Sequence, residues 1–496
     1  IQEVQNVEVL PLNAPSQATY GFKNGFPTIS FQISSRAAFL DGKSVRLNGD
    51  ITLLQSNGTP VNNNKQKPVA AFNTTLDSRI GVAACIQQVT ISSAHNGQTL
   101  EQVRQYPRWL VSSHQTTASQ EDLDSNMSIG GLTASRSLTG AVRYNNKLGF
   151  SIPLRTGFFS GGETINLSET GVHGLTVTLE MSPDFNLLSP YYLSDGNYVP
   201  PTGGVSDTST GATYQLSDLS LSFDALIPNE EGVNQMLSTP ESAVQYNQVS
   251  HIYSVINSSD QTQNLNLGTS KTLAVYHNTI PSNFINNPDR NSNSTMRLAN
   301  DTLNDGTFAG EIQPSEISFA KGGILFPRDN RINTAPVGWT DNSRDLPQTE
   351  KDIVGIDAIK PYNAFNHALV SLRTNQKITN ALQYVPGRSA HEDPTNGKQQ
   401  ITNDIGSRRY GGTLPDMVPC ENLGVREDPF KVGVNFENTN YSVRVVSALD
   451  GNSPNAMFSY VLAQNTMITT PNGLSLIHIS EPTRLLSISY AVFCLK

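Results

Sequence analysis

Strict alternation of apolar and polar residues over residues 175–181, LTVTLEM, is the feature that most narrows the choice of fold. Successive side chains of a strand point to opposite faces, so this pattern predicts an antiparallel strand with one buried face. Residues 150–154 form a second strand-like segment, and Pro153 marks its end or an edge position. Gly157 and Gly171 lie between the two segments as turn residues. This stretch is typical of a β-sheet protein.

Short strands with the same pattern recur along the chain, separated by polar turns and long loops with few charges. In the first half, the pattern predicts strands at residues 4–12, 29–33, 45–53, 86–91, 150–154, 175–181 and 219–223. In the second half, it predicts strands at residues 252–256, 265–267, 272–277, 317–327, 430–436, 441–446, 457–463 and 467–470. Each half is therefore expected to contain about eight strands.

One helix is predicted in each half. Thr99 and Gln102 have the spacing of a capping box, which predicts that a helix begins at Thr99, and Pro107 is expected to end or kink it. Trp109 continues the apolar face of this helix, and we expect it to fill a core against a sheet; an exposed aromatic binding surface is the alternative. Residues 364–372 have apolar side chains at helical spacing and predict the second helix.

The shared plan of the two halves predicts a fold that is mainly all-β. It consists of two tandem eight-stranded jelly-roll β-sandwiches with short helices and long loops. A chain of 496 residues is too long for one ordinary core, which also favours two domains. We assign residues 1–228 to an N-terminal jelly-roll, residues 229–240 to a connector and residues 241–473 to a C-terminal jelly-roll. The long loops recur at matching places in the two halves, so we interpret them as functional surface.

Residues 474–496, LSLIHISEPTRLLSISYAVFCLK, differ abruptly from the rest of the chain. They resemble the translated read-through of a sequencing adapter, with two fixed parts around a variable patch at residues 485–487. We therefore expect a non-native, adapter-derived tail and leave it out of the fold. The natural C-terminus is then expected to be missing. The chain also begins at Ile1 without Met or a signal peptide, so its natural start is expected to be missing too.

Composition excludes several classes of function. Charged residues make up 15% of the chain, against about 25% in an average domain. The net charge of −9, with no basic arm, argues against direct nucleic-acid binding, which requires cations that neutralise phosphates. No apolar run reaches the roughly 18 residues that span a bilayer. Cys85, Cys420 and Cys494 are too few for a disulfide framework, and we expect free thiols in a reducing compartment.

No motif predicts a catalytic, cofactor-binding or metal-binding residue. Residues 42–44, Gly-Lys-Ser, imitate the end of a phosphate loop, but Ala37 stands in place of its first glycine and a strand follows. Two further partial motifs lack the residues that would complete a calcium loop or a zinc-protease helix: Asp122-Asp124-Asn126 and His391-Glu392. We therefore expect that the chain is not an enzyme and that its function lies in shape and subunit contacts.

Several segments are more distinctive than the strand pattern. They are IPLRTGFFSGGETINL with GLTVTLEM, TYQLSDLSLSFDALIP, the stretch from YNQVSHIY to SNFIN, ISFAKGGILFP and PYNAFNHAL. Together they resemble the double jelly-roll major capsid proteins of double-stranded DNA viruses, most closely those of polinton-like viruses and virophages. In order, they resemble the late strands and closing strand of the first jelly-roll, then the opening and middle of the second. The resemblance covers most of residues 4–473.

The resemblance implies that each chain supplies two jelly-rolls standing roughly normal to a capsid shell. Three chains are then expected to form a homotrimeric, pseudo-hexagonal capsomer that tiles an icosahedral shell, with no active site and no cofactor. The implied partners are the chain itself, neighbouring capsomers, and penton and minor capsid proteins. Direct nucleic-acid contact is not expected, and membrane contact is left open. The implied location is the virion, after synthesis in the host cytoplasm or nucleus.

Three long loops are expected to form intersubunit contacts or outer towers: residues 112–146, 183–213 and 281–310. A secreted or surface β-sandwich protein that binds or cleaves carbohydrate is the alternative function. A glycosidase needs two carboxylates about 5–10 Å apart across a cleft, and Glu230 with Glu311 is a candidate pair. Under that alternative, Trp109 or Trp339 is expected to be exposed for sugar binding, and the protein to be a monomer or dimer.

Overall fold

The computed structural model describes the chain over thirteen ranges, and all structural statements below concern these residues. They are 3–54, 73–75, 81–110, 148–183, 189–199, 213–234, 242–282, 314–326, 332–333, 420–422, 435–447, 455–470 and 473–477, apart from residues 13, 16, 24, 35–38, 162–163, 169–170, 195–196 and 233. Antiparallel strands dominate them. Short helical segments lie at Gly42–Ser44, Gly81–Cys85, 106–110, Gly157–Ser160 and 230–232. None of the helices described is long and apolar enough to cross a membrane.

The first half folds into two main sheets and a small third one. Its strands are β1 (Glu3–Val9), β2 (Thr19–Tyr20), β3 (Thr28–Ile33), β4 (Phe39–Asp41), β5 (Arg46–Leu54), β6 (Asn73–Thr75), β7 (Ile86–Ser93), β8 (Thr99–Arg104), β9 (Leu148–Pro153), β10 (Thr164–Asn166), β11 (Leu175–Met181), β12 (Ser189–Ser194), β13 (Asn197–Val199) and β14 (Thr213–Ile227). One main sheet has the order β10-β4-β14-β5-β9, with β1 and β2 also paired to β14, and the other has the order β3-β11-β7-β8. The small sheet has the order β13-β12-β6.

The alternating strands of the first half bury their apolar faces in one core. In the smaller main sheet, Val177 on β11 lies opposite Phe31 on β3 and Ile91 on β7. In the larger sheet, Leu47 on β5 lies opposite Leu221 on β14. All five side chains are fully buried in the same hydrophobic cluster. Apolar residues at every second position of the strands in two sheets thus form a β-sandwich core, as the sequence predicts.

The second half folds into two five-stranded sheets. Its strands are β15 (Ser242–Ile256), β16 (Asp260–Leu265), β17 (Thr272–Pro281), β18 (Pro314–Lys321), β19 (Ile324–Phe326), β20 (Ile332–Asn333), β21 (Cys420–Asn422), β22 (Tyr441–Ser447), β23 (Asn455–Thr470) and β24 (Gly473–Ile477). One sheet has the order β15-β23-β17-β21, with β24 paired to β23. The other has the order β16-β22-β18-β19, with β20 paired to β18.

Strand β23 is buried on both faces. Met457 and Val461 point into the core of the second half, together with Tyr441 and Val443 of β22. The alternate positions of β23 join the hydrophobic cluster of the first half instead: Ala456, Phe458, Tyr460 and Leu462. This double burial explains why the segment is almost continuously apolar rather than alternating. It also means that one sheet of the second half packs directly against the first half.

The main sequence predictions are confirmed. The chain is mainly β, and strands lie where the alternation predicts them, including β3, β5, β7, β9, β11 and β14 in the first half. The two segments predicted at 457–463 and 467–470 form one continuous strand, β23. The domain boundaries at residues 228 and 240 stay predictions.

The helix predicted from Thr99 is wrong. Residues 99–104 form β8, in which Val103 lies opposite Val89 and Arg104 opposite Gln88 of β7. The capping box is a local pattern of two residues three positions apart, and pairing with a neighbouring strand stabilises these residues more than the cap does. The helix begins instead at Tyr106, and Pro107 lies in its first turn, where the missing N–H costs nothing.

Other predictions lie partly or wholly outside the described residues. Of the strand predicted at 430–436, only residues 435 and 436 are described, and they are not in a strand, although Phe436 is fully buried. The helix predicted at 364–372 and the loop at 112–146 lie outside. In the predicted tail, residues 474–477 belong to β24, which pairs with β23. The adapter origin of residues 474–496 stays a prediction.

Candidate functional site

The partial motifs do not form a site in the described residues. Residues 42–44 are a single 3-10 turn between β4 and β5, and the Lys43 N–H donates to the Asp41 carboxylate at 3.1 Å. No group of three or more His, Cys, Asp or Glu residues that could hold a metal occurs in the described part of the chain. Asp122, Asp124, Asn126 and His391 lie outside it.

Trp109 fills a core, as expected from the sequence. Its side chain is 6% exposed, and its indole N–H donates to the carbonyl of Arg155 at 3.0 Å. Its ring lies edge-on to Tyr276 at 5.3 Å and tilted against Tyr460 at 5.8 Å. Both tyrosines belong to the second half, so the Trp109 side chain packs between the two halves. Buried in this way, it offers no stacking surface to a sugar.

The predicted carboxylate pair of a glycosidase is not brought together in the described residues. Glu230 is exposed in a helical turn after β14, and Glu311 lies outside them, as does Trp339. A network of buried, hydrogen-bonded polar groups lies instead where the two halves meet. We call this region the junction: β8, the helical segments 106–110 and 157–160, and the facing parts of β15, β17 and β23.

Glu101 lies at the centre of the junction and is fully buried. Its Oε1 accepts the N–H of Gly157 at 2.9 Å and of Val249 at 2.7 Å, and its Oε2 accepts the N–H of Phe158 at 2.9 Å. Gly157 and Phe158 open the helix Gly157–Ser160, whereas Val249 belongs to β15 of the second half. One carboxylate therefore connects a strand and a helix start of one sandwich to a strand of the other.

Burial and hydrogen bonding act on Glu101 in opposite directions. Burial raises the pKa of Glu101 to about 7, because a charged carboxylate loses its hydration in the core. Hydrogen bonds from Phe158, Val249, Thr156 and Gly157 limit that rise, since they favour the charged form. The convergence of N–H donors from two chain segments is what allows an acidic side chain to occupy this position.

Gly157 is required by the closeness of the two halves. A Cβ atom at this position would lie 2.8 Å from Oε1 of Glu101 and 2.9 Å from backbone atoms of Gln248 and Val249. Backbone atoms cannot give way as a flexible side chain does. The absence of a side chain lets β15 approach the helix start closely enough for the Glu101 hydrogen bonds.

The turn between β8 and the helix 106–110 completes the junction. Gln105 has a φ of 52°, a left-handed conformation that is uncommon for a residue other than glycine. Its carbonyl accepts the hydroxyl of Tyr460 at 3.0 Å and also the N–H groups of Arg108 and Trp109. Tyr106 is likewise fully buried, and its hydroxyl accepts the N–H of Arg155 at 2.9 Å.

The junction is built to hold two sandwiches in one orientation. Glu101, Gly157 and Trp109 are all buried, so a substrate has no direct approach to them. Sequence reasoning missed Glu101 because its partners lie 56 to 148 residues away along the chain. The local sequence gives no signal for it, because residues 99–105 are mostly polar and Glu101 is an ordinary member of them.

Comparison by sequence finds no relative: no protein-family model matches the chain, and no curated protein matches it. Comparison by structure does. The chain is similar to VP54 of the virus PBCV-1, a crystal structure fitted into a reconstruction of the virophage Sputnik, at 11% identity over 96% of each chain with a TM-score of 0.52. It is also similar to the Faustovirus major capsid protein, at 9% identity over 94% of this chain and 90% of that one, with a TM-score of 0.53.

A third similar structure is the PBCV-1 virus capsid, at 11% identity over 96% of each chain with a TM-score of 0.51. All three alignments span both halves of the chain, so the match covers the two sandwiches in the same order. Sequence identity this low establishes fold rather than activity. The chain therefore has the double jelly-roll fold of these viral capsid proteins.

Proposed function

We propose that this chain is a viral major capsid protein, a structural subunit rather than an enzyme. The observation that carries the proposal is the match of both sandwiches, in one continuous alignment, to VP54 of PBCV-1 and to the Faustovirus major capsid protein. In this role the chain associates with copies of itself, as three-chain pseudo-hexagonal capsomers in an icosahedral shell. The junction contributes by giving each chain a fixed pair of sandwiches.

The exposed apolar side chains support self-association. Five of the six large apolar side chains that are most exposed among the described residues fall within residues 4–26: Val4, Leu10, Leu12, Phe22 and Phe26. Exposed apolar groups concentrated in one segment are typical of an interaction surface. We call this segment the N-terminal patch.

Strand β1 adds an open sheet edge to the N-terminal patch. Among the described strands, β1 pairs only with β14, and most of its residues are exposed. Unpaired edges are ordinarily covered by a loop or by a neighbouring chain. A chain with only 15% charged residues also packs against its own copies with little repulsion.

The finer parts of the role follow from the same proposal. Residues 112–146, 183–213 and 281–310 would supply intersubunit or tower segments, of which the second contains the strands β12 and β13 instead of being all loop. Penton and minor capsid proteins would be further partners. The virion is the proposed location, with synthesis in the host cytoplasm or nucleus. The net charge of −9 gives no support to direct contact with the genome.

Light scattering on the purified chain, combined with a glycan array, tests the proposal against the carbohydrate alternative. A capsid subunit should have three times the chain mass of 53.8 kDa, or more, and bind no glycan. A monomer or dimer that binds a defined sugar would refute it.

A further inference from the structure

Arg108 lies inside the junction, in the helical segment 106–110, with only 2% of its surface exposed. Its guanidinium carbon lies 4.4 Å from the centre of the Phe458 ring on β23, a cation–π contact. Its Nε and Nη1 atoms are buried and have no hydrogen-bond partner among the described residues. A fully buried arginine is ordinarily paired, because an ionised group loses its hydration in the core.

The contacts of Arg108 do not offset the free-energy cost of burying its charge. Burial lowers the pKa of Arg108 to about 10, and the neighbours that act on it are the hydroxyl-bearing rings of Tyr460 and Tyr253. The guanidinium is therefore still charged at neutral pH. A cation–π contact recovers only part of the free energy that burying an unpaired ion costs. Among the described residues, no carboxylate contacts the guanidinium.

His251 on β15 contacts the same aromatic ring as Arg108, that of Phe458. Its ring stacks on Phe458 at 5.7 Å and lies 5.3 Å from the ring of Tyr460. Its Nε2 atom is also buried, and no residue in the described part of the chain forms a hydrogen bond with it. Burial, with the nearby Arg104 and Arg108, lowers the pKa of His251 to about 4, so the ring is neutral at pH 7. A neutral imidazole with its proton on Nε2 can donate alongside an arginine.

The cluster reaches the protein surface at two side chains. Tyr253 is 50% exposed, and its ring lies edge-on to Phe458 at 5.2 Å. Arg104, at the end of β8, is exposed and acts electrostatically on His251. Arg104 and Arg108 thus both lie close enough to His251 to act on it electrostatically, on a chain whose net charge is −9.

We infer that Arg108 and His251 form an oxyanion-binding site at the rim of the junction between the two sandwiches. The ligand is a phosphate or carboxylate group, because the planar donors of arginine suit the oxygens of both. Such a group has two sources: inorganic phosphate from solution, or an acidic side chain of a second copy of this acidic chain. We place the entrance to the site at the half-exposed Tyr253 side chain, which contacts Phe458.

Calorimetric titration of the full chain with potassium phosphate, at pH 7 and at ionic strength matched with potassium chloride, tests for the free anion. Saturable binding is expected, with a matching rise in the unfolding temperature. Arg108→Met keeps the apolar stem and should weaken phosphate binding at least about tenfold. Arg104→Gln is the matched control: it removes the exposed cation of the cluster but leaves the buried donors in place, and the affinity for phosphate should stay within about twofold. Arg108→Lys is the second variant: it keeps the charge but loses the planar set of donors, and it should also weaken phosphate binding.

Sedimentation at fixed protein concentration tests whether the ligand is the second source, an acidic side chain of a neighbouring copy, instead of free phosphate. If a neighbouring copy supplies the carboxylate, Arg108→Met should weaken self-association in chloride, and phosphate should weaken self-association of the unsubstituted chain. If the ligand is free phosphate, self-association stays unchanged in both cases. The inference is overturned if phosphate does not bind the unsubstituted chain more tightly than chloride does and Arg108→Met also leaves self-association unchanged. Because the phosphate titration needs no capsid assembly, its result is independent of the proposed function.

Discussion

Glu101 is the residue on which the junction depends most. Its carboxylate is fully buried, and three backbone N–H groups from Gly157, Phe158 and Val249 donate to it. A buried donor that loses its acceptor costs more than the hydrogen bond contributed, because the donor stays cut off from water. The energetic role of Glu101 is therefore best measured by removing it.

Glu101→Ala should lower the free energy of unfolding by about 3–5 kcal/mol, because it leaves three buried N–H groups without an acceptor. Urea denaturation followed by circular dichroism measures the loss. Glu180→Ala is the matched control: its carboxylate also accepts a hydrogen bond, from Gln88 at 2.8 Å, but at the exposed surface of β11. The control should change stability by about 0.5 kcal/mol or less, and equal losses in both variants would contradict the account.

Gly157→Ala should lower the free energy of unfolding by about 1–3 kcal/mol, since the added methyl group meets backbone atoms of β15 at 2.9 Å. Gly161→Ala, four residues further along, is the control. Its added Cβ lies 3.5 Å from its nearest neighbours, an ordinary contact, at a φ of −65°. Thermal unfolding of the two variants side by side gives the comparison. A stable Gly157→Ala protein would mean that the two halves are not held this closely.

The strands are the elements that sequence predicts best. Alternation with period two locates β3 and β11 because each has one face in a core and one face outside it. It fails where that condition fails: β23 is buried on both faces, and β8 pairs with β7 in spite of a local helix signal. The junction could not be predicted from local patterns, because the hydrogen-bond partners of Glu101 lie far away along the chain.

His277 shows how one side chain joins the two sheets of the second sandwich. It lies on β17, and its Nδ1 is 3.0 Å from the hydroxyl of Ser459 on β23, in the same sheet. Its Nε2 is 3.0 Å from the hydroxyl of Tyr441 on β22, in the facing sheet. Burial lowers the pKa of His277 from 6.5 to about 3, so the folded protein keeps the ring neutral.

Stability should therefore depend on His277 in acid. Below about pH 6.5 the unfolded chain binds a proton at this ring, whereas the folded chain does so only near pH 3, so stability is lost as the pH falls between these values. Relative to His277→Gln, which cannot titrate, the unsubstituted chain should lose about 2–3 kcal/mol between pH 7 and pH 4.5. Urea denaturation at a series of pH values measures this difference. Parallel stability curves for the two proteins would contradict the prediction.

At the scale of the whole molecule, a fixed pair of sandwiches carries the exposed apolar side chains of the N-terminal patch. Leu10 is 71% exposed and Phe22 is 45% exposed, which is costly for a chain that stays alone in water. Burial against another copy removes that cost. The junction and the patch thus serve one purpose: the first fixes the shape of the building block, and the second joins blocks.

The double variant Leu10→Ser and Phe22→Ser should weaken self-association at least about tenfold while leaving the unfolding temperature of the dissociated chain nearly unchanged. Sedimentation over a concentration series measures the effect. Gln5→Ser with Lys23→Ser is the control, because these residues are exposed polar neighbours in the same segment. Equal association of the two double variants would exclude the N-terminal patch from the subunit interface.

Electron microscopy of the purified, unsubstituted chain in negative stain tests the central claim most directly. Three copies of a double sandwich should give particles with three-fold symmetry and a hexagonal outline, because six sandwiches surround the axis. Single two-lobed particles at every concentration, or two-fold dimers, would contradict the account.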